Sequence, residues 1–155
     1  QFWLSRVIPV APAEQVRAKV AYSFFLAAWA LPLVAVFSFL AAKWSAAELL
    51  FALVLGMAMS FPAITISLLI DLLRPYLHWD NPQKAIKQNM NVLFAMMAGG
   101  GLLALLFIAA QRLHDAGWND WVIYFSLLLL SLLAGYVPYA VMQRIAEERF
   151  KLIGD

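Results

Sequence analysis

DLLRPYLHWDNPQKAIKQNMN, residues 71–91, is a dense island of charged, polar and aromatic side chains between two long greasy segments. On one side run residues 46–70, on the other 92–110, and neither stretch carries a charged side chain in its middle. An apolar run broken this way reads as two membrane spans joined by a connection that lies in water. The island therefore decides that the chain is polytopic.

Composition agrees. The chain is 65% hydrophobic and only 13% charged, with a mean hydropathy of +0.80. Soluble domains hold roughly 45–50% apolar and about 25% charged residues, so 155 residues of this composition need the bilayer as solvent. The net charge of +2 does not indicate nucleic acid, because the basic residues sit at segment ends and form no stripe. With no cysteine, disulfides, thiol catalysis and cysteine metal sites are excluded.

Four segments meet the roughly 20-residue length needed to span hydrocarbon: 20–42, 46–73, 90–110 and 121–142. The expected fold is all-α, a polytopic membrane protein. Residues 1–19 form a cytoplasmic or interfacial lead-in, 20–142 the four-helix membrane domain with its cytoplasmic loop 74–89, and 143–155 a cytoplasmic tail. The first span lies too far in, and is followed by too many others, to be a cleaved signal peptide.

Basic residues set the expected orientation. Arg6, Arg17 and Lys19 precede the first span, Arg74, Lys84 and Lys87 lie in the island, and Arg144, Arg149 and Lys151 follow the fourth. Only Lys43 and Arg112 fall in the other two connections. Both termini and the island are thus expected in the cytoplasm, with Trp44, Trp118 and Trp121 forming the outer aromatic belt and Tyr22, Trp79 and Tyr139 the inner one.

Three spans carry a proline: Pro32, Pro62 and Pro138, which free the carbonyls of Ala28, Ala58 and Ala134 from their helical bonds. They are the candidate hinges, although neighbouring helices can re-satisfy such carbonyls without any motion. The third span carries Gly99-Gly100-Gly101 instead, where close contact with another helix is expected.

Ionisable residues inside a span mark function, and the span interiors here offer chiefly serines and Thr65. No carboxylate lies deep enough for proton coupling, and no protease constellation is present. His78 and His114 fall on opposite sides of the membrane and cannot share a metal. His114 with Asp115 and Asp120 fits a solvated loop better than a metal site. No phosphate loop exists, so the chain is expected to be neither an enzyme nor a holder of cofactor or metal.

Within the island, Arg74-Pro75 stops the preceding helix and Asn81-Pro82 starts another, with Asn as N-cap. Ala85, Ile86, Asn89 and Met90 recur at helical spacing among Lys84, Lys87 and Gln88, which describes a short amphipathic cytoplasmic helix between spans two and three. Tyr76, His78, Trp79, Asp80, Lys84, Lys87 and Gln88 are the candidate partner-docking residues, since aromatic groups beside a charge make compact anchors.

Ile70-Asp71-Leu72-Leu73-Arg74-Pro75, Trp79, Asn81-Pro82, Lys87-Gln88-Asn89 and Asn91-Val92-Leu93 together resemble the signature of large bacterial ABC-2-type permeases, the membrane subunits of ATP-binding-cassette exporters. Ile86 stands where that family has Val, and Asp80 where Thr is common. Upstream, Val7-Ile8-Pro9-Val10-Ala11-Pro12 followed by Ala18-Lys19 is similar to the segment that precedes a span in the same family. The resemblance implies a bacterial inner-membrane permease that moves a substrate outward while a separate cytoplasmic ATPase binds ATP. Membrane lipid and a second permease half or copy are the other expected partners. Such permeases have several times as many spans, so this chain is expected to be a C-terminal portion. Reading the residues alone leaves an alternative: a non-transporting assembly or regulatory membrane protein that recruits a cytoplasmic partner through 71–91.

Overall fold

The computed structural model describes residues 10–42, 45–75 and 90–152. These form four helices: α1 (Pro12–Ala42), α2 (Ala46–Leu73), α3 (Met90–Asp115) and α4 (Asp120–Leu152), with no strand among the described residues. All four are long and apolar enough to cross a membrane, and the chain is an all-α polytopic membrane protein. At 1.5 Å per residue they measure roughly 39–50 Å, against about 30 Å of hydrocarbon. Helix therefore continues past the apolar spans. Residues 12–19 are the opening turns of α1, and 143–152 are the closing turns of α4.

Local chemistry fixes the ends. Ser45 and Glu48 make a reciprocal capping box at the start of α2, with the Ser45 N–H donating to Glu48 at 2.7 Å and the Glu48 N–H donating to the Ser45 hydroxyl at 3.3 Å. As expected at Arg74-Pro75, α2 stops at Leu73, and the Arg74 N–H still reaches back to the Ile70 carbonyl at 2.9 Å. Between α3 and α4, Gly117 takes φ +75°, a conformation that costs a glycine nothing. Its N–H donates to His114 O at 2.9 Å and the Trp118 N–H donates to Leu113 O at 3.1 Å, the paired bonds that close a helix C-terminus. Asn119 then caps α4 by accepting from the Trp121 N–H at 2.9 Å.

Helix α2 is the hub. It packs most extensively on α4 and also against α1 and α3, while α1 and α3 have no substantial contact with each other. The crossing of α2 and α4 is set by Gly135. A Cβ there would come within 3.0 Å of three carbons of the Phe61 ring. That ring is hemmed in by Phe24 and Tyr139, each with its centroid 6.4 Å away. Pro62 and Pro138 are both buried beside this crossing, whereas Pro32 is exposed on α1. All three prolines lie inside continuous helices.

Among the described residues, the close contact expected at Gly99–Gly101 is not present. A Cβ built on any of the three would meet nothing within 4 Å. The bare backbone of Gly99 and Gly100 borders a groove beside α3 instead. The second tight glycine is Gly56, where a Cβ would meet Leu31 of α1 at 3.2 Å.

Two apolar clusters hold the ends of the bundle. At the end carrying the start of α1 and the finish of α4, Val16, Val20, Leu72, Met142, Ala146 and Phe150 pack together. Arg17, Arg144, Glu147 and Glu148 stand exposed beside the outer end of this cluster. At the opposite end, Leu106, Ile123 and Leu127 are buried with Leu55 and Met59 against them. Large apolar side chains such as Phe25, Trp29, Phe37, Leu105 and Phe107 remain exposed, as a hydrocarbon solvent allows.

Candidate functional site

The helix ends that flank the island meet in a polar clasp. Asn91 opens α3 from a buried position, and its side-chain amide donates to Asp71 Oδ1 at 3.1 Å and to the Arg74 carbonyl at 2.6 Å. Arg74 in turn lays its guanidinium over the Phe94 ring, 4.9 Å from the centroid. One amide thus spans α2 and α3 and satisfies a carbonyl that the end of α2 leaves without a helical partner. Asp71, Arg74 and Asn91 all belong to the motif set described above. What sequence reasoning missed was their mutual contact. The signal available was a polar residue placed one position inside a span.

Below the clasp runs a groove of about 410 Å³ between α2 and α3. Ser67, Asp71 and Asn91 line its polar end, and Ala63, Gly99 and Gly100 keep its walls low. Four intramembrane hydroxyls, Ser67 among them, bond back to their own helices. Ser60 donates to Met57 O, Thr65 to Phe61 O, Ser67 to Ala63 O and Ser131 to Leu127 O, at 2.7–3.0 Å. Such bonds satisfy the hydroxyl locally and bend the helix slightly.

Of the sequence candidates, Tyr76, His78, Trp79, Asp80, Lys84, Lys87 and Gln88 lie outside the described residues, as does the amphipathic helix expected there. The clasp ties together the two helix ends to which that segment is joined. Of the three candidate hinges, Pro62 and Pro138 share one packed crossing, and Pro32 is apart from it. At the opposite end, His114 Nδ1 lies 3.8 Å from Asp120 Oδ1, both well exposed. Among the described residues no group of three or more His, Asp or Glu side chains is arranged to hold a metal.

The clasp makes a stability prediction. Asn91→Leu should destabilise the protein by about 1–2 kcal/mol, since it removes a hydrogen bond to a carboxylate and one to the part-buried Arg74 carbonyl. Asp71→Ala should cost less, because the bond to the Arg74 carbonyl survives and Asp71 is exposed. Unfolding by denaturing detergent in mixed micelles measures both; a larger loss for Asp71→Ala would place the main support elsewhere.

Comparison with protein-family models, with curated proteins and with solved structures gives no match.

Proposed function

We propose that this chain is a membrane-spanning permease, or part of one, of an ATP-binding-cassette exporter. In this reading its helices line part of a translocation path in a bacterial inner membrane, with both termini in the cytoplasm. A separate ATPase docks on residues 76–88 and supplies the energy. The observation that carries the proposal is the clasp: among three residues of the permease-like motif, Asn91 of α3 bonds both Asp71 and the Arg74 carbonyl at the end of α2. A segment that receives force from a partner can pass it to the membrane domain only if its ends are fixed there. The basic residues gathered at the island and at both chain ends support the cytoplasmic orientation.

Trp79 is the expected anchor. Truncating a central aromatic anchor costs about 2 kcal/mol or more, roughly thirtyfold in affinity. Trp79→Ala should therefore weaken co-purification with the ATPase and uncouple ATP hydrolysis from transport in reconstituted vesicles, with the membrane fold unchanged. Lys84→Ala, at the rim of the same segment, should do much less. Full coupling in Trp79→Ala, or crosslinking of the ATPase only to residues 6–19, would reject the dock and leave recruitment of some other partner as the function of 71–91.

A further inference from the structure

At the end of the bundle opposite the clasp, packed aromatic rings lie beside the exposed carboxylate of Asp120. Phe51 of α2 stands nearly perpendicular to Trp121 of α4, with centroids 4.9 Å apart and planes at 88°. It meets Tyr124 at 5.2 Å and 66°. These three rings and Asp120 line a cavity of about 310 Å³. Asp120 and Tyr124 also line a second, adjoining cavity of about 590 Å³, whose floor is apolar (Leu55, Ile123 and Leu127) and whose rim carries Asp115 and His114. Volumes of roughly 300–1,000 Å³ with apolar walls and a few polar groups are those of small-molecule sites.

The chemistry of the lining selects the ligand. Aromatic faces present negative potential and attract a cation, most strongly when it is bulky and weakly hydrated. A carboxylate at the same point adds to that attraction and repels anions. Asp115 adds a second negative charge, while the one always-cationic side chain described nearby, Arg112, lines neither cavity. The apolar floor accepts a hydrocarbon body. Interfacial tryptophans occur in every membrane belt, and Trp118 beside this site is as exposed as Trp121, each at 53%. Only Trp121 faces the cavity with Asp120, which separates a site from a belt.

The geometry points to a binding site for a lipophilic organic cation taken from the aqueous phase, held by Asp120, Phe51, Trp121 and Tyr124. The site does not depend on the transport reading.

Equilibrium dialysis of the full chain in dodecyl maltoside micelles, which carry neither charge nor ammonium, tests it with tetraphenylphosphonium as probe. Tetraphenylborate, of the same shape and opposite charge, is the control, and protein-free micelles give the background. Saturable binding of the cation alone is expected. Asp120→Asn and Trp121→Leu should each weaken it about threefold, the size of an ion-pair or cation–π loss at an exposed site. Trp118→Leu should leave it unchanged, and both variants should keep the unfolding midpoint of the parent. The proposal is overturned by equal binding of the two ions, by Asp120→Asn binding as the parent does, or by equal losses from Trp118→Leu and Trp121→Leu. Displacement by phosphatidylcholine at stoichiometric amounts, with none by phosphatidylglycerol, would assign the site to a lipid headgroup and likewise overturn it.

Discussion

Gly135→Val should destabilise the bundle by about 3 kcal/mol, the upper part of the range for overpacking a well-packed contact. Two effects oppose each other at this position. Glycine is a poor helix former, so almost any replacement gains up to about 1 kcal/mol of helix propensity. Against that, a Cβ alone would press inside 3.0 Å of three carbons of the Phe61 ring, and valine adds two more carbons. The outcome depends on whether the ring can move. Phe24 stands edge-on to it and Tyr139 lies beyond, so a swing of Phe61 has to displace a second helix, and the clash wins. Because α2 and α4 form the largest interface of the molecule, separating them there loosens the whole bundle. Equilibrium unfolding in mixed micelles gives the number. Phe61→Ala in the Gly135→Val background should recover a large part of the loss, since residues in direct contact couple by about 0.5–3 kcal/mol. Additive losses in the double variant would mean that the ring is not the obstacle.

Met142→Ala should cost a similar amount, about 3 kcal/mol, within the 2–5 kcal/mol seen when a large buried aliphatic side chain is cut back to alanine. Met142 is 1% exposed and sits where α1, α2 and α4 converge, against Val16, Val20, Leu72 and Ala146. Removing its side chain leaves a void bounded by three helices, which cannot all close in at once. Met97 provides the internal control. It is 66% exposed on α3, where lipid replaces whatever is removed, so Met97→Ala should stay within about 0.5 kcal/mol. Equal effects at the two methionines would show that Met142 is not packed as described.

Much of the architecture was legible in the residues, and the reason is that membrane spans announce themselves by length and polarity. The four spans, the stop at Arg74-Pro75 and the all-α class follow from chemistry local to each segment. Which side of a span faces protein does not follow. Leu105 and Leu106 are chemically identical neighbours, yet one is 65% exposed and the other 6%. In water the polar face of a helix marks its outside; in hydrocarbon both faces are apolar and the sequence period goes silent. The glycines teach the same lesson. Of the conspicuous triplet, Gly99 and Gly100 border a groove, while the single Gly135 carries the tightest helix crossing, and only the placement of the neighbouring helices distinguishes them. The clasp was half legible: Asp71, Arg74 and Asn91 stood out as motif residues, but their bonding requires two helix ends to meet across residues 76–89. At the other end, Asp120 and Trp121 stood out only as a loop carboxylate and a belt tryptophan; their meeting with Phe51, 69 residues before Asp120, was not legible.

The outer end of the cluster around Met142, where α1 begins and α4 finishes, should differ from the Gly135 crossing in its response to temperature. Apolar surface withdrawn from water carries a large heat-capacity change, and its stabilisation fades on cooling. Side chains that exchange lipid contacts for protein contacts displace no water and lack that signature. Val16, Ala146 and Phe150 lie outside the apolar spans, among exposed charged residues, and belong to the first kind; Phe61 and Gly135 lie inside them and belong to the second, and Phe61 packs against the same cluster from within. As the temperature falls, the first turns of α1 and the last turns of α4 are therefore the first to loosen, while the intramembrane crossing keeps its strength.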